Sequence, residues 1–252
     1  MLHRSALVDY VNGLLDAPGQ ADYCPNGLQV EGRAEIHRLV TGVTASRRFL
    51  ESAIEAEADA VLVHHGFFWK GEPAPIVGMK AERIRLLLDH GVNLLAYHLP
   101  LDIHPSLGNN ACLAQRLELE PEGQITAAGV AGLLWHGRLR SPLDAEQFSA
   151  RLEDRLGRTP MHIAGGPAQI ERVAWCSGGG QRFVTEAAAL GVDAYFSGEI
   201  SEQTTHEARE QGVHYFAAGH HATERGGVQA LGAHLASHFG LEHVFIDDPN
   251  PA

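Results

Sequence analysis

The sequence predicts an α/β protein in which short strands alternate with helices. Apolar runs typical of buried strands are separated by amphipathic stretches typical of helices, a βαβ pattern that predicts largely parallel sheets. The predicted strands lie near residues 38–44, 60–64, 92–97, 173–176, 194–197, 213–218 and 243–247. The predicted helices lie near residues 7–15, 46–57, 79–90, 181–190, 202–211 and 227–239. They fall into two consecutive series.

The two series resemble each other, which predicts an internal duplication. Residues 48–60 match residues 182–194 at a constant offset of 134, across a helix and into the next strand. Each series continues with a histidine and an acid four residues later, first in 98–102 and then in 220–224. Chance similarity between βαβ units is the alternative, and the matched histidine–acid ends count against it.

We divide the chain into three parts on this basis. Residues 1–126 form a first α/β half and residues 171–252 a second. Between them, residues 127–170 are predicted to form an inserted α+β module with a strand near 132–135. Its helix is expected to begin after a capping box at Ser141 and to end near residue 156.

Composition excludes several classes of protein. A net charge of −12 over 252 residues argues against nucleic acid as a partner. No apolar run is long enough to span a membrane, and the three cysteines form no CxxC pair, so a cytoplasmic protein is expected. The unusual feature is the 16 histidines, several of them adjacent, which is where chemistry should lie.

Imidazole and carboxylate groups follow the predicted strands. His64 and His65 come directly after a buried strand, at the edge where open α/β sheets bind ligands. Asp102 follows the next strand and is expected on a loop because of Pro100, and the segment from His220 to Glu224 follows a strand of the second series. Each segment alone also fits a capping or solvated role.

Taken together with His98, which also follows a strand, these residues predict two metal ions. Five or six imidazole and carboxylate ligands exceed the four that a tetrahedral zinc takes, so two divalent ions sharing a carboxylate fit better, and hydrolysis is the expected chemistry. Zinc, manganese, iron and nickel are not distinguished. A non-catalytic metal-binding or scaffold protein, and a di-iron redox enzyme, are the alternatives.

Three further features have more than one interpretation. Residues 177–180, Ser-Gly-Gly-Gly, fit either an anion site or a plain tight turn. Glu199 fits an acid–base group or a solvated carboxylate. The aromatic stretch 67–70 could stack on a ring or line a subunit contact, with packing the favoured interpretation.

The chain resembles a known family in specific motifs. They are VTGVTAS, HHGFFWKGE, HLPLDIHPSLGNN, SGGG, SGEIS and GHHATERGG. These motifs are similar to those of the YbgI-type NIF-three-like dinuclear metal proteins, whose members often carry the name type 2 GTP cyclohydrolase I. The resemblance runs from the first predicted helix to the closing FIDDPNPA.

The resemblance implies a fold and an assembly. It implies two intertwined three-layer α/β/α halves, assembled into a toroidal homohexamer with the sites facing an inner cavity. It also implies that the metal ligands are His64, His65, Asp102, His220 and Glu224.

The resemblance also implies roles within the site. Glu224 would bridge the metals, and His98 would lie beside them, orienting a ligand or binding substrate. The implied reaction is attack of activated water on C8 of guanine, opening the imidazole ring and releasing formate. Glu199 or His98 would transfer protons, and the substrate would be a nucleotide or a related small molecule.

Overall fold

The structure, a computed structural model, describes residues 2–252. The helices are α1 (Arg4–Leu14), α2 (Arg47–Glu55), α3 (Gly78–His90), α4 (Leu99–Ile103), α5 (Asn109–Arg116), α6 (Ala145–Leu156), α7 (Val184–Ala189), α8 (Glu202–Glu210) and α9 (His220–Phe239). The strands are β1 (Leu2–His3), β2 (Gly27–Val30), β3 (Glu35–Ile36), β4 (Arg38–Thr44), β5 (Ala60–His65), β6 (Asn93–Ala96), β7 (Leu119–Ala127), β8 (Val130–Leu143), β9 (Met161–Ile163), β10 (Ile170–Trp175), β11 (Ala194–Ser197), β12 (His214–Ala217) and β13 (Glu242–Phe245).

The chain forms two compact units, each built from two segments. Unit 1 contains residues 1–108 and 227–249, and unit 2 contains residues 109–226 and 250–252. This division differs from the three predicted parts. The predicted boundary at 126/127 falls in the hairpin of β7 and β8, whose strands are hydrogen-bonded to each other.

Unit 1 has a mainly parallel five-stranded sheet in the order β13-β4-β5-β6-β2. Strands β13, β4, β5 and β6 are parallel, and β2 closes one edge in the antiparallel direction. Because parallel strands end at the same edge, the end of β5 and the segment after β6 lie side by side. His65 ends the first of these strands, and His98 closely follows the second.

Helices cover both faces of this sheet, because side chains alternate along each strand. Toward one face, Leu39 and Leu62 pack with residues of α1 and α9 such as Leu235. Toward the other face, Val40 and Val61 pack against α2 and α3. Every side chain between Ala60 and His64 is therefore buried, which explains the continuous apolar run that ends at the histidines.

Unit 2 has a six-stranded sheet in the order β7-β8-β10-β11-β12-β9. Only β10, β11 and β12 are parallel; the hairpin β7–β8 and the short β9 are antiparallel edges. Residues 127–170, predicted as an inserted module, thus supply strand β8 and the edge strand β9 of this same sheet, together with helix α6. Their apolar side chains, such as Phe148 and Leu152, belong to the core of unit 2.

Most predicted strands and helices are confirmed within a few residues. Three local predictions differ from the structure. Asp102 lies in α4 and not on a loop, because Pro100 occupies the first turn, where its missing N–H is not needed. The last helix begins at His220 and passes through Gly226 and Gly227 without a break. Asp144 caps α6 in place of the predicted Ser141.

No helix among residues 2–252 is long and apolar enough to cross a membrane.

Candidate metal centre

His64 and His65 are the last two residues of β5. Their rings lie close together, with centroids 4.7 Å apart and planes at 45°. Gly66 follows, and a Cβ there would clash with the side chains of Gln29 and Ala96, so glycine permits the close packing at this turn. His64 is fully buried and His65 is partly exposed, which suits one inner and one outer ligand.

Hydrogen bonds fix which nitrogen of each ring faces the site. His64 Nδ1 donates to the carbonyl oxygen of Tyr97 at 2.9 Å, so its Nε2 carries the lone pair when the ring is neutral. That Nε2 lies 3.5 Å from Oδ2 of Asp102. His65 Nδ1 is held by the hydroxyl of Thr44 at 3.1 Å.

Two acceptors such as His64 Nε2 and the Asp102 carboxylate attract one another only through a cation between them. A proton or a metal ion serves this purpose, and the Nδ1–H bond to Tyr97 turns the Nε2 lone pair toward this position. Asp102 is held in place by the first turn of α4, where its N–H donates to the His98 carbonyl at 3.2 Å.

His98 lies against His64 and His65, but its own hydrogen-bond partner is Asp22. Its ring centroid is 5.0 Å from that of His64 and 5.7 Å from that of His65. Its Nδ1 bonds at 2.9 Å to Oδ1 of Asp22, whose side chain is buried. Burial alone would raise the pKa of Asp22, but the hydrogen bond and the charge of His98 outweigh burial and lower that pKa.

Cys24 adjoins the same pair. The thiol, Asp22 and His98 offer ligand atoms within 4.8 Å of one another. Burial, followed by the neighbouring Asp22 charge, raises the pKa of Cys24 to about 12. The thiol is therefore protonated at neutral pH unless a bound metal ion displaces its proton.

In unit 2, His220 and Glu224 occupy the first turn of α9 and face each other. His220 Nε2 lies 3.2 Å from Oε1 of the buried Glu224, the i, i+4 contact that one helical turn provides. His220 Nδ1 bonds to Oε1 of Glu199 at 2.7 Å. The histidine is thus oriented by one carboxylate and faces another.

These carboxylates change the proton affinity of His220. Burial disfavours the imidazolium, yet the hydrogen bonds and charges of Glu224 and Glu199 outweigh burial and raise the pKa of His220 to about 9. Gln181 Nε2 donates to the second oxygen of Glu199 at 3.1 Å and holds that carboxylate in place. When no other cation is bound, a proton on His220 therefore offsets negative charge of Glu199 and Glu224.

Gly178 provides the space that Glu224 occupies. Its φ is +60°, and a Cβ there would collide with Oε1 of Glu224 and lie 3.0 Å from His220 Nε2. Its N–H donates to the hydroxyl of Thr223 at 3.0 Å. Of the two interpretations of residues 177–180, the tight turn is therefore the better supported, with the added role of making room for the carboxylate.

The donors in each unit fit a divalent metal ion. In unit 1, ring nitrogens of His64, His65 and His98 all lie within 4.8 Å of one another. In both units a histidine donates its Nδ1–H to an oxygen and turns its Nε2 toward a buried carboxylate, the arrangement that metal-binding histidines require. The ligand set is nitrogen and oxygen throughout.

Comparison with known proteins identifies the family. The sequence profile of Duf34/NIF3 (NGG1p interacting factor 3) matches residues 2–251. The chain belongs to the Duf34/NIF3 family. A relative in Pseudomonas aeruginosa, named GTP cyclohydrolase 1 type 2 homolog, is 53% identical over 248 residues, which cover 98% of each chain.

Solved structures support the fold of this Duf34/NIF3 protein. The structure of a protein named ybgI, of unknown function, aligns with a TM-score of 0.96 at 49% identity and covers 100% of both chains. That of TTHA1606 from Thermus thermophilus aligns with a TM-score of 0.91 at 36% identity, again over 100% of both chains. The predicted family and α/β fold class are confirmed.

The positioning residues of the site were not found from the sequence. Asp22, Thr44 and Gln181 each hold a histidine or a carboxylate of the site, but each lies far along the chain from its partner. A short polar residue in a turn or at a strand end is too common for such a role to be detected from spacing alone. Only the tertiary contacts single these residues out.

Proposed function

We propose that this protein is a hydrolase dependent on two divalent metal ions and acting on the purine ring of a nucleotide. The residues that would supply the ligands are His64, His65 and Asp102 of unit 1 and His220 and Glu224 of unit 2. The observation that carries the proposal is the recurring pair of an oriented histidine and a buried carboxylate. The name of the Pseudomonas aeruginosa relative supports the choice of a purine nucleotide.

The proposed reaction is hydrolysis at C8 of guanine. Cleavage of the two bonds from C8 to N7 and N9 consumes two water molecules and releases C8 as formate. Two divalent ions, when bound, lower the pKa of water and offset the negative charge of a triphosphate.

His98 and Glu199 have different roles in this proposal. His98, whose Nδ1 is held by Asp22, presents Nε2 as the group that passes protons to the purine nitrogens. Glu199 holds the Nδ1 proton of His220, so we assign it the orientation of that ligand in preference to direct proton transfer.

Formate release tests the proposal. Metal-loaded protein incubated with GTP should release one formate per GTP consumed, measured with a coupled formate dehydrogenase assay. Asp102→Ala is the control for ligand loss, and Asp144→Ala, which removes a helix cap in unit 2, is the control for a general loss of stability. Turnover no higher than that of Asp102→Ala would contradict the hydrolase and leave a metal-binding protein without this activity.

We also propose that the protein is a homo-oligomer, with a toroidal hexamer as the specific expectation. Three exposed apolar side chains follow closely in sequence and support a subunit contact: Ile76, Val77 and Met79, which are 53%, 68% and 65% exposed. Light scattering coupled to gel filtration should give six times the chain mass of 27.2 kDa. The mass of a single chain would contradict this proposal.

A further inference from the structure

Tyr23 and Trp69 form an aromatic cluster around His98. The ring centroid of Tyr23 is 4.9 Å from that of His98, with planes at 77°. The ring of Trp69 is 5.0 Å from the same imidazole, with planes at 86°. Both aromatic rings thus meet His98 edge to face, and they lie 5.7 Å from each other.

Hydrogen bonds between backbone groups hold this cluster together. The N–H of Lys70 donates to the carbonyl oxygen of Tyr23 at 2.7 Å, tying the two aromatic loops to one another. The N–H of Glu72 donates to the Trp69 carbonyl at 2.9 Å, and Glu72 Oε2 accepts from the Trp69 N–H at 3.2 Å. The two loops that carry the rings are therefore tied to one another by the fold.

The exposure of Tyr23 is unusual for this protein. Tyr23 is 51% exposed, whereas all other phenylalanine, tyrosine and tryptophan side chains of residues 2–252 are buried or partly buried. Folding normally removes such an aromatic surface from water, since its burial is favourable. The half-exposed ring of Tyr23 therefore offers aromatic surface on which a flat ring can stack.

The cluster adjoins the histidines of the candidate metal centre in the same unit. Trp69 lies 5.9 Å from His65 between ring centroids. His98 is held at Nδ1 by Asp22, and its Nε2 lies 3.4 Å from the Tyr23 hydroxyl. A flat ring on Tyr23 would therefore lie next to a fixed imidazole and close to the ligands that end β5.

We propose that Tyr23 and Trp69 bind a planar heteroaromatic ring by stacking and so select nucleobase-containing substrates. The inference rests on the proposed function, because it takes the neighbouring histidines and Asp102 as the reactive centre. An aromatic face recognises the flat ring and not the charged phosphates, so the ring should supply most of the affinity that these two residues control.

Binding of 7-deaza-GTP to the metal-loaded full chain tests this inference. The analogue keeps the flat ring but has carbon in place of N7, so it cannot undergo the proposed ring hydrolysis and reports binding alone. Tyr23→Ala should weaken its binding at least about tenfold by isothermal titration calorimetry, whereas Tyr23→Phe, which keeps the ring, should stay near wild type. Trp69→Ala should weaken binding more than Trp69→Phe.

A matched control and a second probe guard against indirect effects. Tyr10 is a partly buried tyrosine of the same unit that stacks on His238 at 4.3 Å, and Tyr10→Ala should leave binding unchanged. Ribose 5-phosphate should bind weakly and equally to wild type and Tyr23→Ala. Elemental analysis of each variant confirms that its metal content equals that of the wild type.

The outcomes separate this inference from the proposed function. Equal binding of 7-deaza-GTP to wild type and Tyr23→Ala, or no binding to either, would overturn the inference whatever the formate assay gives. Binding that depends on Tyr23 without formate release from GTP would sustain the inference and contradict the hydrolase. Formate release that is unaffected by Tyr23→Ala at low GTP would support the hydrolase and count against the stacking role.

Discussion

The two units present the same pair, a histidine that faces a carboxylate, by different means. In unit 1, His64 donates Nδ1–H to a backbone carbonyl and faces Asp102 at 3.5 Å. In unit 2, His220 is bonded through Nδ1 to the Glu199 carboxylate and faces Glu224 at 3.2 Å. One histidine is oriented by a neutral group that no side-chain substitution removes, and the other by a charged side chain.

This difference predicts different basicity at equivalent nitrogens. A carboxylate behind an imidazole stabilises its protonated form and strengthens it as a ligand more than a carbonyl does. At His220, the hydrogen bonds and charges of Glu224, followed by those of Glu199, outweigh burial and raise the pKa.

Removing either of the carboxylates that face a histidine, Asp102 or Glu224, should have the largest effect on metal binding. Asp102→Ala and Glu224→Ala each delete a proposed ligand, so each should reduce the bound metal of the purified protein from two ions per chain to one or none. Elemental analysis after dialysis against metal-free buffer measures the change. Retention of two ions by both variants would show that the paired geometry is not a metal site.

Gly178→Ala should displace Glu224. The new methyl group would occupy the space of Oε1, and the left-handed backbone at φ +60° would add about 1–2 kcal/mol of strain. Metal content and melting temperature should both fall. Gly179→Ala is the matched control, because the nearest atoms to its Cβ lie 3.8 Å or more away, and this variant should keep its metal.

Glu199→Gln should weaken metal binding by roughly 10–100-fold without abolishing it, as for other residues that orient a metal-bound histidine. Competition with a fluorescent zinc chelator gives the affinity. Glu202→Gln removes the same charge from an exposed side chain three residues away and should change little. Equal effects of both variants would attribute the result to overall charge and not to the contact with His220.

Thr44→Val should have the smallest effect, a loss of metal affinity of about tenfold or less. It removes the hydroxyl that holds His65 Nδ1 while keeping the shape of the side chain. Thr41→Val is a close control in the same strand, since the Thr41 hydroxyl bonds His243 at 2.8 Å, away from the proposed ligands. An affinity loss in Thr41→Val as large as in Thr44→Val would point to a general disturbance of β4.

The internal repeat predicted from the sequence does not predict which residues make contact. His98 and His220 share the same spacing to an acid, and both stand at the start of a helix. In the folded units, however, His220 faces Glu224, the acid four residues later. His98 instead bonds to Asp22, and Asp102 faces His64. Equal spacing therefore did not mean equal contacts.

The alternation of strands and helices, and the placement of the five proposed ligands at or shortly after strand ends, follow from the sequence alone. These are local properties, since apolar periodicity fixes which segments become buried strands and a strand end fixes where the next polar side chains emerge. The continuous apolar run from Ala60 to Val63 followed by two histidines is the clearest case.

The hydrogen-bond partner of each proposed ligand, and the division of the chain into two units, depend on contacts that only the folded structure shows. The orientation of His64 by Tyr97, and of His98 by Asp22, depends on contacts between residues 33 and 76 positions apart. The division into units depends on β13 returning to pair with β4. Such contacts are set by packing of distant segments, which leaves no periodic signal in the sequence.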